Sequence, residues 1–303
     1  MLAKLELIDT ITKTKTLVLQ GLRSDNSVRV YSKAFDDFVT WWQSNPRPLN
    51  REIILEWLET LKSRGLSSST INQRLAVIRK MARETAYSGA VPYEVVLGIE
   101  KTRGVKQLGR RLGNWLTTEQ AQALINTPDI KKLKGIRDRM IIALLLGAGL
   151  RREELSRLTL QMIQQRAGRW VILDLKGKHG RIRTVPIPAW AKTAVDSWLV
   201  FSGVTEGLLC REIRKGGHLQ DKGMSAQAIR DVVADYGKKI GIDISPHDLR
   251  RTFAHLAFEN KAALDQIQLT LGHSSIQTTE RYLGVKQNLH NAPCDKLPFE
   301  LRD

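Results

Sequence analysis

The stretch from Lys101 to Gly113 decides what the rest of the chain can be. It runs Lys101-Thr102-Arg103-Gly104-Val105-Lys106-Gln107-Leu108-Gly109-Arg110-Arg111, basic and glycine-bearing, with no apolar period for a helix or strand to bury. Such a stretch reads as a linker between two separately packed halves, and 303 residues at 42% hydrophobic content supply a core for each. A plain surface loop would look much the same. A cationic tether that tracks phosphates is an equally natural reading, and the sequence does not separate the two.

Ahead of the linker the pattern is helical throughout. Ser27 to Trp42 sets Val28, Tyr31, Phe35, Phe38 and Trp42 along one face, with Ser27 or Asn26 as its cap. Arg51 to Lys62 turns Ile54, Trp57, Leu58 and Leu61 inward and is stopped by Gly65. A third helix starts in Ser67-Ser68-Ser69-Thr70, with Ile71, Leu75, Ile78 and Ala82 on its apolar side. Its other side shows Arg74, Arg79, Lys80 and Arg83, a pattern more common on a solvated face than on a binding one.

Past the linker the chain is mixed. Thr117 followed by Gln120 is a capping box that opens a helix through Ile125. Ile136 to Leu146 is apolar enough to be a buried helix, broken by Gly147-Ala148-Gly149, and Leu150 to Leu158 restarts helically. The β-prone runs Trp170 to Leu175 and Ile182 to Ile187 flank Lys176-Gly177-Lys178-His179-Gly180, which predicts a hairpin. Helices resume at about Trp190 to Phe201, Ser225 to Ile240, Pro246 to Glu259 and Leu264 to Leu271.

Charge narrows the partner. Lys and Arg total 48 against 31 Asp and Glu, a formal net charge of +17. An excess of this size points to a polyanion, because neutralising phosphates releases condensed counterions. An anionic membrane would also attract it, but the longest apolar run, Met140 to Leu146, is too short to span a bilayer. The opening Met1-Leu2-Ala3-Lys4-Leu5-Glu6 lacks the apolar core of a secretory signal. Cys210 and Cys294 make no disulfide framework and stand in no metal-ligand spacing, so they read as thiols of a reducing cytoplasm. The expectation is a cytoplasmic, nucleic-acid-binding protein with no membrane partner.

Four short segments after the linker hold residue types suited to gripping and attacking a phosphodiester. In Gly149-Leu150-Arg151-Arg152-Glu153-Glu154-Leu155, Arg151 and Glu154 stand three apart, so the carboxylate can orient the guanidinium. Alone, such a pair is usually a surface salt bridge worth under about 1 kcal/mol. In Ser245-Pro246-His247-Asp248-Leu249-Arg250, Ser245 suits the N-cap and Pro246 the first helical position, which puts His247 and Arg250 in the first turn. Helix N-termini attract phosphate through their unpaired N–H groups and dipole. Leu271-Gly272-His273 ends a helix at a glycine and leaves His273 in a turn, after which Thr278-Thr279-Glu280-Arg281-Tyr282 resumes. Each segment by itself is as readily a capped helix, a structural histidine or an ordinary tyrosine.

In order, these segments resemble the tyrosine recombinase (phage integrase) family over nearly the whole chain. Gly149-Leu150-Arg151-x-x-Glu154-Leu155 is similar to its first arginine box. Gly177-Lys178 ahead of Arg183-Thr184-Val185-Pro186 is similar to its β-hairpin lysine segment, and His247-Asp248-Leu249-Arg250 to its His-x-x-Arg box. Leu271-Gly272-His273-Ser274-Ser275 followed by Thr278-Thr279-x-x-Tyr282 is similar to its closing box, and Ser69-Thr70-Ile71-Asn72-Gln73-Arg74-Leu75 to its core-binding domain. Four ordered boxes are far more specific than any single motif. One departure is His179, where the family commonly has glycine after the hairpin lysine. Lys176 competes for that role, although counting back from Val185-Pro186 favours Lys178.

The resemblance implies a two-domain, mainly α chain. Residues 1–100 would be a helical, SAM-like core-binding domain, 101–114 a basic linker, and 115–284 an α+β catalytic domain of the DNA breaking–rejoining enzyme fold with a small antiparallel β-hairpin. Residues 285–303 would form a tail, docked on its own or on a neighbouring protomer. The core-binding helices would begin near Ser27, leaving little room for a further DNA-binding domain ahead of them. It also implies that Tyr282 attacks the scissile phosphorus, that Arg151, Arg250 and His273 stabilise the phosphate oxygens, and that His247 assists the tyrosine's proton. Lys178 would protonate the leaving 5′-oxygen, and Glu154 would orient these groups. DNA contacts are expected from Arg74, Arg79, Lys80, Arg83, Arg103, Lys106, Arg110 and Arg111. The expected partner is double-stranded DNA, held by a homotetramer on synapsed sites and by a monomer or weak oligomer otherwise, with no metal and no cofactor. Two rivals are a type IB topoisomerase and a non-catalytic DNA-binding regulator.

Overall fold

The computed structural model describes residues 13–22, 24–44, 46–106, 114–177, 180–273 and 275–283, all but the side chains of residues 25, 26, 281 and 282. Gln107 to Gly113, Lys178, His179, Ser274 and the chain beyond residue 283 lie outside the described residues. The backbone divides into two compact units, residues 1–111 and 112–303.

The first unit is helical. Residues 13–20 form α1, followed by α2 (Asp25–Ser44), α3 (Arg51–Ser63), α4 (Ser68–Tyr87) and α5 (Tyr93–Glu100). Side-chain caps set the starts: Asn50 Oδ1 accepts from the Ile53 N–H at 3.0 Å, and Ser67 Oγ from the Thr70 N–H at 3.3 Å. The core gathers Phe35, Phe38 and Trp42 of α2 with Ile54, Trp57 and Leu61 of α3 and Ile71, Leu75 and Ile78 of α4. Phe38 meets Trp57 edge-on at 5.7 Å, the arrangement aromatic quadrupoles favour.

Three expectations are corrected here. The helix expected from Ser27 begins at Asp25, and its cap is Ser24, whose hydroxyl accepts from the Ser27 N–H at 3.1 Å. The helices do not begin near Ser27 either, because α1 precedes them and buries Thr14 and Val18. The third concerns the tether. Asn72 of α4 donates to the Val105 carbonyl at 2.9 Å and accepts from its N–H at 2.8 Å, and Thr102 is buried. At Gly104 a Cβ would lie 2.4 Å from Asn72 Oδ1, so a larger residue there would displace the Asn72 amide that holds Val105. Thr102 to Val105 therefore belong to the helical unit.

The second unit is built on α7 (Leu133–Gly147), buried from Ile136 through Leu146 apart from Arg139, which is partly exposed. Ahead of it lies α6 (Thr118–Asn126), held by the expected capping box: Thr117 N–H to Gln120 Oε1 at 3.0 Å and Gln120 N–H to Thr117 Oγ1 at 3.2 Å. After α7 come α8 (Arg152–Ser156) and a three-stranded antiparallel sheet, β1 (Ile163–Arg166), β2 (Arg169–Lys176) and β3 (Ile182–Pro186), in the order β1-β2-β3. The β2–β3 pair is the predicted hairpin, with Ile172 opposite Val185 and Leu175 opposite Arg183 across a bulge. There follow α9 (Ala189–Ser202), a ladder of β4 (Arg211–Ile213) with β5 (Leu219–Gly223), and helices α10 (Ala226–Lys239), α11 (Pro246–Glu259), α12 (Leu264–Leu271) and α13 (Ile276–Leu283). Among the described residues no helix is long and apolar enough to cross a membrane.

Candidate active site

Gly149 opens the site. Its φ of +59° turns the chain from α7 into α8, a conformation glycine enters without cost. The turn leaves Arg151 at the N-cap of α8 rather than inside the helix, with Glu154 three residues on, where a side chain can reach back to the cap. Glu154 Oε2 accepts from the Arg151 N–H at 2.9 Å, and Oε1 from Arg151 Nη1 at 2.8 Å. The same carboxylate takes both arms of Arg183 from β3, Nη1 on Oε1 and Nη2 on Oε2, each at 2.9 Å. Arg183 Nε donates to the Thr270 carbonyl at the end of α12, also at 2.9 Å. Arg250 Nη1 stands 4.0 Å from Glu154 Oε2. The Glu154 side chain is only 4% exposed, and one buried carboxylate among three guanidiniums leaves uncancelled positive charge.

The start of α11 supplies the next groups. Asp248 Oδ2 accepts from the Ser245 N–H at 2.9 Å and from its hydroxyl at 2.6 Å, which holds Pro246 at the first helical position, His247 in the first turn and Arg250 at the start of the second. Arg250 is buried, its side chain 1% exposed. Its Nη1 donates to the Gly149 carbonyl at 2.6 Å and its Nη2 to the Leu271 carbonyl, so it braces the arginine turn against the end of α12.

Gly272 closes α12 at φ +64° and delivers His273 into the turn before α13. The His273 Nδ1 lies 2.9 Å from the hydroxyl of Thr279, itself fully buried on α13. Tyr282 falls on the same helix three residues after Thr279, while its side chain lies outside the described residues.

The electrostatics agree with the geometry. Burial pushes His273 down to about 4, and the charges of Arg250, Arg151, His247 and Arg183 add to it, so these groups converge on one ring. His247 is also lowered, by burial first and then by Arg251, Arg250 and Arg151, with Asp248 opposing. Burial alone would raise Glu154, but the Arg183 hydrogen bonds, the Arg151 N–H and the two arginine charges outweigh it and hold the carboxyl low. The pocket therefore presents permanent cations, two neutral imidazoles and an ionised carboxylate, a combination that can bind and polarise a phosphodiester.

Of the residues singled out from sequence, the structure brings Arg151, Glu154, His247, Arg250 and His273 together. Lys178, Arg110, Arg111 and the tail lie outside the described residues. Lys176 stands exposed on β2 next to the buried Leu175, on the face turned away from Arg183. The helix-borne cations have internal partners: Arg74 pairs with Asp37, Arg79 donates to the Thr102 carbonyl, and Arg83 pairs with Glu100 at 3.0 Å. Lys80 is half-buried, and Arg103 and Lys106 are exposed. Sequence reasoning missed the parts played by Arg183 and Thr279. Alternation on β3 was the available signal for the first, since Arg183 and Val185 share the inward face. Helical spacing was the signal for the second, three residues ahead of Tyr282.

Among the described residues no group of three or more His, Cys, Asp or Glu side chains stands where it could hold a metal ion. Comparison with known proteins adds an independent line. The Phage integrase family matches residues 114–288, and the Phage integrase N-terminal SAM-like domain matches residues 14–86. The chain is 31% identical over 269 residues to tyrosine recombinase XerA of Pyrococcus furiosus, covering 89% of this chain and 86% of that one. It is 28% identical over 279 residues to tyrosine recombinase XerD of Halalkalibacterium halodurans, covering 88% and 89%. The crystal structure of XerH site-specific recombinase bound to palindromic difH substrate, a post-cleavage complex, shares the fold with a TM-score of 0.70 at 20% identity, over 85% of this chain and 76% of that one. This chain belongs to the phage integrase family and is a tyrosine recombinase, a site-specific DNA-recombining enzyme.

Proposed function

We propose that the chain cleaves and rejoins double-stranded DNA through a 3′-phosphotyrosyl link on Tyr282. The observation that carries this reading is the arginine-lined pocket around Glu154 with two neutral histidines, set beside the helix that bears the tyrosine. The Tyr282 oxygen attacks the scissile phosphorus, the bond to the 5′-oxygen breaks, and the displaced oxygen takes a proton from Lys178. The tyrosine's own proton passes to His247, which burial and its arginine neighbours keep unprotonated and able to accept it. Arg151 and Arg250 stabilise the charge that builds on the phosphate oxygens. His273 joins them: in the tautomer in which Nδ1 accepts from the Thr279 hydroxyl, Nε2 carries the ring proton and can donate it to a phosphate oxygen. Lys176 faces away from this pocket, which supports Lys178 as the proton donor.

The phosphotyrosyl bond conserves the energy of the broken diester, so rejoining requires no nucleotide. Attack by the 5′-hydroxyl of a partner strand, repeated on the second strand pair, passes through a Holliday junction. We assign the helical unit, extended through Val105, to core-site binding and residues 115–284 to catalysis, with four protomers on two synapsed sites. With Arg74 and Arg79 tied internally, Arg83, Arg103 and Lys106 are exposed candidates for phosphate contact, alongside the half-buried Lys80 and Arg110 and Arg111. An apolar cavity of about 840 Å³ among α6, α7, α9 and α11, lined in part by Ile125, Trp190, Phe201 and Phe253, suits a tail segment such as Leu297-Pro298-Phe299, from the same or a neighbouring protomer. The place of action is the cytoplasm of a bacterial or archaeal cell, where the chromosome is.

The test is a plasmid carrying two copies of a site found by binding selection. Wild type should excise or invert the intervening segment with chelator present and no nucleotide, and Tyr282→Phe should not. Relaxation without exchange of segments would make the protein a topoisomerase. Binding with neither outcome would make it a regulator.

A further inference from the structure

We propose that Arg183 is a positioning residue for strand cleavage, one that binds both oxygens of Glu154 and so limits the carboxylate's hold on the Arg151 side chain to a single Nη1 bond, leaving the rest of that guanidinium to the scissile phosphate. The inference rests on the recombinase reading above and extends it to a residue outside the catalytic set.

The geometry defines what Arg183 does and what it leaves to others. All three of its donor nitrogens have partners: Nη1 and Nη2 on the two oxygens of Glu154, and Nε on the Thr270 carbonyl. Its side chain is 10% exposed, against 31% for Arg151. Arg183 is thus spent on the protein, whereas Arg151 gives Nη1 to Glu154 and turns an exposed flank outward. Without Arg183 the buried carboxylate would keep its charge and lose its bidentate partner. Arg151 beside it and Arg250 at 4.0 Å are the cations left to compensate, and each would be drawn from the phosphate site toward Glu154.

Two glycines make room for this guanidinium, each at a root of the catalytic apparatus. At Gly177, the residue before Lys178, a Cβ would lie 3.0 Å from Arg183 Nη1. At Gly272, the residue before His273, a Cβ would lie 2.9 Å from Arg183 Cδ and 3.2 Å from Nε. The fork therefore runs from the base of the hairpin, across Glu154, to the turn that carries His273. A lysine could not reproduce it, because a single ammonium cannot hold two carboxylate oxygens and a carbonyl in one plane.

The experiment measures DNA affinity, single-turnover cleavage of a nicked suicide duplex and thermal midpoint for Arg183→Gln, Arg183→Lys, Glu154→Gln and the double variant. Arg183→Gln should slow cleavage about 100-fold, the scale of a misplaced catalytic group, with affinity changed no more than about 3-fold. Arg183→Lys should not rescue it. Adding Glu154→Gln to Arg183→Gln should restore cleavage by about 10-fold, because the competing charge is gone. Cleavage by Arg183→Gln within about 3-fold of wild type overturns the proposal, as does a double variant no faster than the single. If Arg183→Gln does not fold, the Glu154→Gln background decides: there the loss of Arg183 should cost little, and a loss of about 100-fold would mean that Arg183 acts on the phosphate or the fold directly. Absence of any covalent adduct in wild type would instead sink the recombinase reading itself.

Discussion

His273 and Glu154 sit in one pocket and respond to pH in ways that can be separated. The ring of His273 is held at about 4 in the folded protein against an ordinary value of 6.5, chiefly by burial and then by the arginines around it. Between those two values the unfolded chain binds a proton that the folded chain refuses. The stability at stake is therefore fully present above about 6.5 and drains away as pH falls toward 4. His247 and His255, both lowered by burial, act in the same direction. Glu154, lowered despite its burial, contributes above the usual carboxyl range, and its share is lost only at more acid pH. Thermal midpoints measured from pH 7 down to pH 4 should fall, and His273→Gln should fall less steeply than wild type. A variant slope equal to that of wild type would show that His273 is not held neutral by its surroundings.

At the scale of elements, the turns between helices aim the chemistry. Gly149 adopts a left-handed φ with Phe253 Cδ1 only 2.7 Å from where a Cβ would stand, and its carbonyl receives Arg250. Gly149→Ala combines left-handed strain with overpacking, so it should destabilise the second unit by about 2–4 kcal/mol and slow cleavage as Arg250 shifts. Gly168, at φ +75° in the β1–β2 turn, has nothing within 4 Å of a Cβ. Gly168→Ala should cost only about 1–2 kcal/mol and leave cleavage unchanged. Chemical denaturation and single-turnover rates check both, and equal effects at the two glycines would refute the argument. The same scale shows what the sequence discloses. Helices with long apolar stripes, such as α3 and α7, were legible, as was the β2–β3 hairpin with its glycine turn. What escaped was short or weakly patterned: β1, whose Ile163-Gln164-Gln165-Arg166 buries one residue, the three-residue β4, and α5, where Gly98 weakens an eight-residue helix. Of the candidate site, the box residues were legible because their order is specific. Arg183 stood in view as part of a box, but its link to Glu154 joins residues 29 positions apart, and no local pattern encodes that.

For the whole molecule, an excess of 48 basic over 31 acidic residues said early that the partner is a polyanion, but not which side chains would meet it. On α4, Arg74 pairs with Asp37 and Arg79 with the Thr102 carbonyl inside the helical unit, while Arg83 pairs with Glu100 at an exposed position, and all three contribute to the unit's positive field. In the second unit, Arg151, Arg183 and Arg250, drawn from three separate segments of the chain, gather around the Glu154 carboxylate. The central claim is that this pocket makes Tyr282 a nucleophile toward DNA. Its most direct test is to incubate wild type with a nicked duplex bearing the selected site, in chelator, digest the covalent adduct and locate the modified residue by mass spectrometry. The account predicts a 3′-phosphotyrosyl linkage on the peptide containing Tyr282, absent from Tyr282→Phe. A linkage on another residue, or none on a site the protein demonstrably binds, would contradict it.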